Sequence, residues 1–219
     1  MRGSIVVREG IFWALGCFVA TILLLLLSRR LSWEPLRYLG WIFGLLTILV
    51  AYFYRDPRRE PPEGEGLVVS AADGKVTEIE RGIQEESYLQ SKAVRIGLIL
   101  SLWDVHVNRA PVSGRVELVK YVPGRFWPAF TRRAQRNNEH NLVGIQGAGG
   151  KVLVKQMAGL LARRIVCRLR MGDSVTRGQR FGMIRLGSRV DLFLPETAEL
   201  RVGRGDRLVA GETIVGVFR

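Results

Sequence analysis

Two uncharged apolar segments at the head of this chain constrain its fold more than any other feature. Residues 11–27 form a run of seventeen without a charge, and residues 39–54 another of sixteen. As helices they would be about 24–26 Å long at 1.5 Å per residue, the short end of a membrane span. The stretch between them carries Arg29, Arg30 and Arg37 with Trp33 and Tyr38, residue types that suit a membrane–water interface. The pattern predicts an N-terminal membrane-anchoring helical hairpin over residues 1–55. The first segment runs into Ser28-Arg29-Arg30, not into a small-residue cleavage site, which argues against a removable leader. Five arginines flank the hairpin (Arg2, Arg8, Arg55, Arg58, Arg59) and three lie in its loop, a bias that predicts both ends on the cytoplasmic side of a cell membrane. Spanning the bilayer and dipping into one leaflet both fit the sequence.

Residues 56–66, rich in Pro, Gly and charge, read as a linker. From residue 67 to 219 the chain is a series of short apolar runs with turn signals, at 67–70, 75–80, 93–100, 115–121, 142–145, 151–157 and 165–169. That pattern predicts a β-rich domain. Residues 125–138, basic with aromatics and proline, read as a long loop or a short helix. The formal net charge of +13 fits either nucleic acid or an anionic membrane surface. The lipid-length segments favour the membrane, and no basic run interleaved with aromatics suggests a nucleic-acid partner. Cys17 and Cys167 are separate and read as buried free thiols. With His106 and His140 the only histidines and no Cys/His cluster, no metal site is expected.

A pattern recurs within the domain. Gly172-Asp173-x-Val-x-x-Gly178 returns as Gly205-Asp206-x-Leu-x-x-Gly211, 33 residues later. It is similar to the turn units of biotinyl- and lipoyl-type domains, and implies a mainly β, biotinyl/lipoyl-like sandwich (a barrel-sandwich hybrid) behind the hairpin.

The Gly187-Ser188 pair sits between two apolar runs that read as strands. Glycine opens backbone angles closed to other residues, so the serine hydroxyl can approach the carbonyl carbon of its own preceding peptide bond. The same dipeptide also suits an ordinary turn or bulge. His106 lies in Asp104-Val105-His106-Val107-Asn108. If that segment is a strand, Asp104, His106 and Asn108 share a face, where the histidine can act as base and proton donor or can simply be hydrogen-bonded at a strand end. Asp73 precedes Gly74 between two runs, a common hairpin signal.

Several separated stretches resemble the phosphatidylserine decarboxylases in their order along the chain: Ala72-Asp73-Gly74, then Asp104 through Gly114, Asn138-Glu139-His140-Asn141, Gly159 through Cys167, and Leu186-Gly187-Ser188 with its flanks. The resemblance covers nearly all of the chain after Phe53 and is closest to the short bacterial and archaeal form. It implies autocatalytic serinolysis between Gly187 and Ser188. That would leave a large and a small chain and convert Ser188 into a pyruvoyl group, the cofactor for decarboxylation of phosphatidylserine to phosphatidylethanolamine. It further implies that His106 and Asp73 act with Ser188, Asp73 orienting the histidine. Longer members carry a second histidine where this chain has Arg109, which leaves the division of base and proton-donor roles open. Arg109 and His140 are candidate substrate contacts. The expected partners are a phospholipid, the membrane and the two chains of one precursor, and the reading admits a homo-oligomer. The rival reading is a membrane-anchored lipoyl-like adaptor without catalysis. No heptad run and no carrier lysine at a turn supports it.

Overall fold

The computed structural model describes residues 7–160, 164–185 and 188–218. The chain divides into two compact units, residues 1–58 and 59–219. In the first, α1 (Arg8–Leu31) and α2 (Glu34–Phe53) pack against each other as a hairpin. Both are long and apolar enough to cross a membrane. The connecting stretch is shorter than its composition suggests. Arg29 and Arg30 stay helical in the last turn of α1, where cations face the negative end of the helix dipole. Ser32 turns the chain in the left-handed conformation (φ 51°), and Pro35 falls in the first turn of α2, where its missing N–H costs nothing. The helices approach closely at Gly40, whose added Cβ would lie 2.8 Å from the Leu25 side chain.

The second unit is mainly β. Its strands are β1 (Leu67–Val69), β2 (Gly74–Glu85), β3 (Ser91–Ile99), β4 (Val107–Arg109), β5 (Gly114–Val122), β6 (His140–Gly147) and β7 (Gly150–Met157). The series continues with β8 (Ile165–Cys167), β9 (Ser174–Val175), β10 (Arg180–Ile184), β11 (Arg189–Pro195), β12 (Glu199–Leu200), β13 (Arg207–Leu208) and β14 (Ile214–Val217). A six-residue helix, α3 (Arg132–Asn137), interrupts the basic stretch between β5 and β6, with the Thr131 hydroxyl accepting from the Ala134 N–H as its N-cap.

The described residues form an eight-stranded sheet in the order β13-β2-β3-β11-β7-β6-β5-β9 and two three-stranded sheets, β1-β14-β12 and β4-β10-β8. Register shifts in β2–β3 and β5–β6 mark bulges, which bend the large sheet. Its concave face buries Val76, Ile96, Leu98, Val143, Ile145, Val152, Val154, Val190, Leu192 and Leu194 in one core. The alternating positions of β11 on the other face are Arg189, Asp191 and Phe193.

The sequence repeat is a repeat of hydrogen bonds. Gly172 N–H donates to Val116 O and Gly205 N–H to Val76 O; Val116 and Val76 return bonds to Asp173 O and Asp206 O. Each aspartate carboxylate caps its own turn, Asp173 on Arg170 N–H and Asp206 on Gly203 N–H, both at 2.8 Å. The turn glycines take positive φ in both copies, Gly172 at 96° and Gly205 at 101°, Gly178 at 76° and Gly211 at 79°. In this correspondence β2 matches β5 and β13 matches β9, with Gly74 in the place of Gly114 and Asp73 in the place of Ser113.

Candidate active site

The chain changes sheets between β10 and β11. β10 ends in a three-stranded sheet and β11 begins five residues later at the centre of the large one, between β3 and β7. Both ends of this crossing are pinned. Ile184 N–H donates to the carbonyl of His106 at 3.2 Å, and Leu100 N–H donates to the carbonyl of Ser188 at 3.1 Å. Ser188 is fully buried, and its hydroxyl has no hydrogen-bond partner among the described residues. Gly187 lies outside the described residues. A buried hydroxyl without a partner forgoes a hydrogen bond worth about 1 kcal/mol, a cost that suits a group kept for chemistry.

His106 is also fully buried, just before β4. Its Nδ1 lies 2.9 Å from the carbonyl of Asp104. A carbonyl can only accept, so Nδ1 carries the proton in the neutral ring and Nε2 keeps the basic lone pair. The expected alternation of Asp104, His106 and Asn108 along one strand does not occur. Asp104 closes a turn, its N–H bonded to Ser101 O and its carboxylate accepting from Ser101 N–H at 2.7 Å. The strand starts only at Val107. The turn forms because a short acidic side chain satisfies the backbone locally and ends the extended run.

Asp73 does not sit in a hairpin either. The strands on either side of it belong to different sheets, β1 paired with β14 and β2 with β3. Its Oδ1 accepts from Ala210 N–H at 2.7 Å and its Oδ2 pairs with Arg59 at 2.9 Å. The backbone of Val105, the residue before His106, also lies near this carboxyl and favours its charged form. Burial pushes its carboxyl above the ordinary range, against the pull of these partners. The repeat separates the two roles of this side chain. Ser113, at the matching position, accepts from Arg177 N–H as Asp73 accepts from Ala210 N–H, and the two donors are the same 33 residues apart as the repeated turns. The Ala210 bond therefore belongs to the architecture of the turn, while the links to Val105 and Arg59 are particular to this half. Arg59 sits in the stretch read as linker, where nothing in the sequence sets it apart from its basic neighbours.

Asn108, in β4, opens a chain of buried amides. Its Oδ1 accepts from Gln156 Nε2 at 2.8 Å, and Gln156 Oε1 accepts from Asn141 Nδ2 at 3.0 Å. Asn141 lies beside the Cys167 thiol of β8, whose pKa burial pushes up. This chain ties β4, β7, β6 and β8 together through the core behind the crossing.

Arg189, the residue after Ser188, is fully buried on the opposite face. Its Nε lies 2.6 Å from Asp191 Oδ1 and its Nη2 2.9 Å from Glu78 Oε2. Glu78 Oε2 also accepts from Arg95 at 3.2 Å and from Gln135 of α3 at 2.9 Å. Burial works against the Glu78 charge, but the Arg189 and Arg95 guanidinium groups hold its carboxyl below the usual range. A Cβ at position 97 would come within 2.3 Å of Arg189 Nη2, so a larger residue there must displace the guanidinium.

Two of the sequence candidates stand apart. Arg109 is buried with its Nη1 on the carbonyl of Gly178 at 3.0 Å, and its Cδ lies against Gly211, so it joins the two repeated turns. His140 opposes Met157 on β7, which opposes Arg189 on β11, and so lies on the Arg189 face two strands away. Its Nδ1 meets Asn138 O at 2.7 Å, and burial lowers its pKa, keeping the ring neutral near pH 7. Asp73, His106 and Ser188 are brought to one end of the sheet; Arg109 and His140 are held by other contacts. Among the described residues no group of His, Cys, Asp and Glu could hold a metal ion.

Residues 46–216 match the family described as phosphatidylserine decarboxylase. The phosphatidylserine decarboxylase proenzyme of Geotalea uraniireducens (strain Rf4) is 44% identical over 208 residues, covering 94% of this chain and 93% of its own. The proenzyme of that name from Symbiobacterium thermophilum is 43% identical over 218 residues, covering 99% and 97%, and that from Carboxydothermus hydrogenoformans is 42% identical over 210 residues, covering 95% and 94%.

Proposed function

This chain belongs to the phosphatidylserine decarboxylase family, and from that premise we propose that it cuts itself between Gly187 and Ser188 and then decarboxylates phosphatidylserine to phosphatidylethanolamine. The observation that carries the self-cleavage is the buried Ser188 hydroxyl, without a hydrogen-bond partner among the described residues, on a crossing pinned at both ends. Ser188 Oγ adds to the Gly187 carbonyl carbon, the peptide C–N bond breaks, and the hydroxyl proton passes to the freed nitrogen. Loss of the Ser188 α-proton then expels the Gly187 carboxylate. Water replaces the nitrogen of the resulting dehydroalanine, releasing ammonia and leaving a pyruvoyl cap on Arg189. His106 Nε2 is the base for these proton transfers, because the Asp104 carbonyl fixes the proton on Nδ1. Asp73 fixes the backbone at Val105 and so the position of the imidazole, while Arg59 balances its charge. Once formed, the pyruvoyl group supplies the electron sink that lets a carboxylate leave as carbon dioxide. The chain's own part in that step is to exclude water and to return a proton, a role that falls to His106.

The duplicated turn units support a biotinyl/lipoyl-like barrel-sandwich hybrid for residues 67–219, with residues 1–55 as anchor and 56–66 as linker. The hairpin supports a cell-membrane location with the catalytic unit on the cytoplasmic side, and a phospholipid partner. The relatives above carry the name of a decarboxylase, which leaves the adaptor reading without support.

Intact mass of the denatured protein tests the proposal. Two chains divided between Gly187 and Ser188, the smaller lighter by one ammonia than a serine-started peptide, are expected. Ser188→Ala gives one uncut chain and no release of carbon dioxide. A cleaved or active Ser188→Ala protein would overturn the reading.

A further inference from the structure

Among its described residues the second unit exposes six large apolar side chains, and four of them sit on loops at one end. Leu102 (49% exposed) and Trp103 (65%) follow β3, Leu160 (51%) follows β7, and Phe130 (72%) lies between β5 and β6. The strand register puts these loops together. Arg189, the first residue of β11, opposes Ile99 at the end of β3 and Met157 at the end of β7, so the Leu102-Trp103 and Leu160 loops leave on either side of Ser188. Met157 opposes His140 at the start of β6, and His140 opposes Val122 at the end of β5, which brings the Phe130 loop to the same end. At the far end the hairpin between β2 and β3 does the reverse. It turns Tyr88 (7%) and Leu89 (8%) inward and leaves Glu86 exposed.

We propose that this end of the catalytic unit docks on an anionic phospholipid bilayer, with Leu102, Trp103, Phe130 and Leu160 entering the interface and Ser188 behind them. Exposed apolar groups concentrated in this way mark an interaction surface, and tryptophan at a loop tip favours the headgroup level of a membrane. The occupant is a bilayer rather than a protein for two reasons on the chain itself. Exposed arginines flank the Phe130 tip, Arg125 before it and Arg132 and Arg133 in α3 after it, and basic groups are drawn to anionic lipid. The same chain also carries two helices long and apolar enough to cross a membrane, so a short linker tethers this unit beside lipid. The reason the surface surrounds Ser188 rests on the proposed function: a headgroup then reaches the site while its acyl chains stay in the bilayer.

The test uses the full chain with Cys17→Ser and Cys167→Ser, carrying one cysteine at a time through Trp103→Cys, Leu160→Cys or Met171→Cys. Met171 is exposed at the opposite end, beside the turn that bonds Val116. Each is labelled with bimane and reconstituted in mixed phosphatidylcholine–phosphatidylglycerol vesicles. At 103 and 160 the label is expected to be quenched by lipids bearing a nitroxide near the headgroup and shielded from aqueous iodide, and at 171 the reverse. Iodide quenching at 103 and 160 equal to that at 171 would overturn the proposal. In a second measurement, Leu102→Ser/Trp103→Ser/Leu160→Ser should raise KM for vesicle substrate about tenfold while leaving kcat on a monomeric short-chain substrate unchanged. An unchanged vesicle KM would also overturn it. Lipid quenching in a protein that releases no carbon dioxide would keep the surface and remove the enzymatic reading, so the two fail separately.

Discussion

Arg189 decides how firmly the serine beside it is held. Its guanidinium is buried between Asp191 and Glu78, on the face opposite the core. Arg189→Met removes the cation and leaves the Asp191 carboxylate buried without it, a change that costs about 3–5 kcal/mol when one member of such a pair is lost. Thermal unfolding of the uncut Ser188→Ala protein measures this without interference from cleavage. Adding Asp191→Leu to the same background should restore most of the loss, because the uncompensated charge goes with it. Asp73 offers a second measurement, in pH. Its carboxyl is raised by burial, so the folded state keeps the proton at pH values where the unfolded chain has released it. Its contribution to stability is therefore fully present below the ordinary carboxylate value of 3.8 and is lost as pH rises through the raised one. Self-cleavage should follow the opposite sense, slowing as acid neutralises Asp73 and weakens its pairing with Arg59. Asp73→Asn should slow cleavage at neutral pH by about tenfold or more and flatten that acid limb, as read by the rate at which the two chains appear on a gel.

At the scale of elements, the strands were legible because their apolar residues alternate or cluster between turn signals, and β2, β3, β5, β6, β7 and β11 fall where those runs predict. What a run cannot encode is its partner. Asp73-Gly74 has the composition of a hairpin turn, yet the backbone passes from one sheet to another there, a choice made by pairings with β14 and β3 far along the chain. Glu78, Arg95 and Asp191 likewise look like ordinary surface charges in sequence, and only the register of β2, β3 and β11 gathers them around Arg189. Arg59 carried no signal at all, since its role depends on where the linker lies. Ser188, His106 and Asp73 stood out as candidates through separated motifs, not through any property visible at each alone. Gly74 shows how such a crossing is built. It takes φ 149°, and a Cβ there would meet Ile99 O at 2.6 Å, beside the Leu100 N–H that holds Ser188. Gly74→Ala should destabilise the uncut protein by about 1–3 kcal/mol through strain and slow its cleavage, because the push falls on the strand end that fixes the serine. Unfolding of the Ser188→Ala background and cleavage of the parent check the two halves.

The whole molecule must survive being cut. Residues 188–219 would become a separate chain of 32 residues, fewer than the roughly 40 below which a domain seldom folds alone. They are woven through the catalytic unit. β11 runs between β3 and β7 with seven and five residues in register, β13 pairs with β2, and β14 pairs with β1. The large chain depends on them equally, since without β11 its main sheet falls into two parts. Val190, Leu192 and Leu194 also place three fully buried side chains in the common core, each worth about 1.5–3 kcal/mol of burial. Cleavage should therefore leave one particle. In mild detergent the two chains should co-elute at every dilution, and they should separate only in denaturant, at the concentration where the sheet itself unfolds. Removing the denaturant should return little activity, because pairing β11 between β3 and β7 has become a bimolecular step with no covalent link to keep the strand nearby. The uncut Ser188→Ala chain, which retains that link, should recover its fold under the same treatment. Equal recovery by the two would mean that the connection across residues 185–188 adds nothing to assembly, and that the large chain alone holds the shape into which the small one fits.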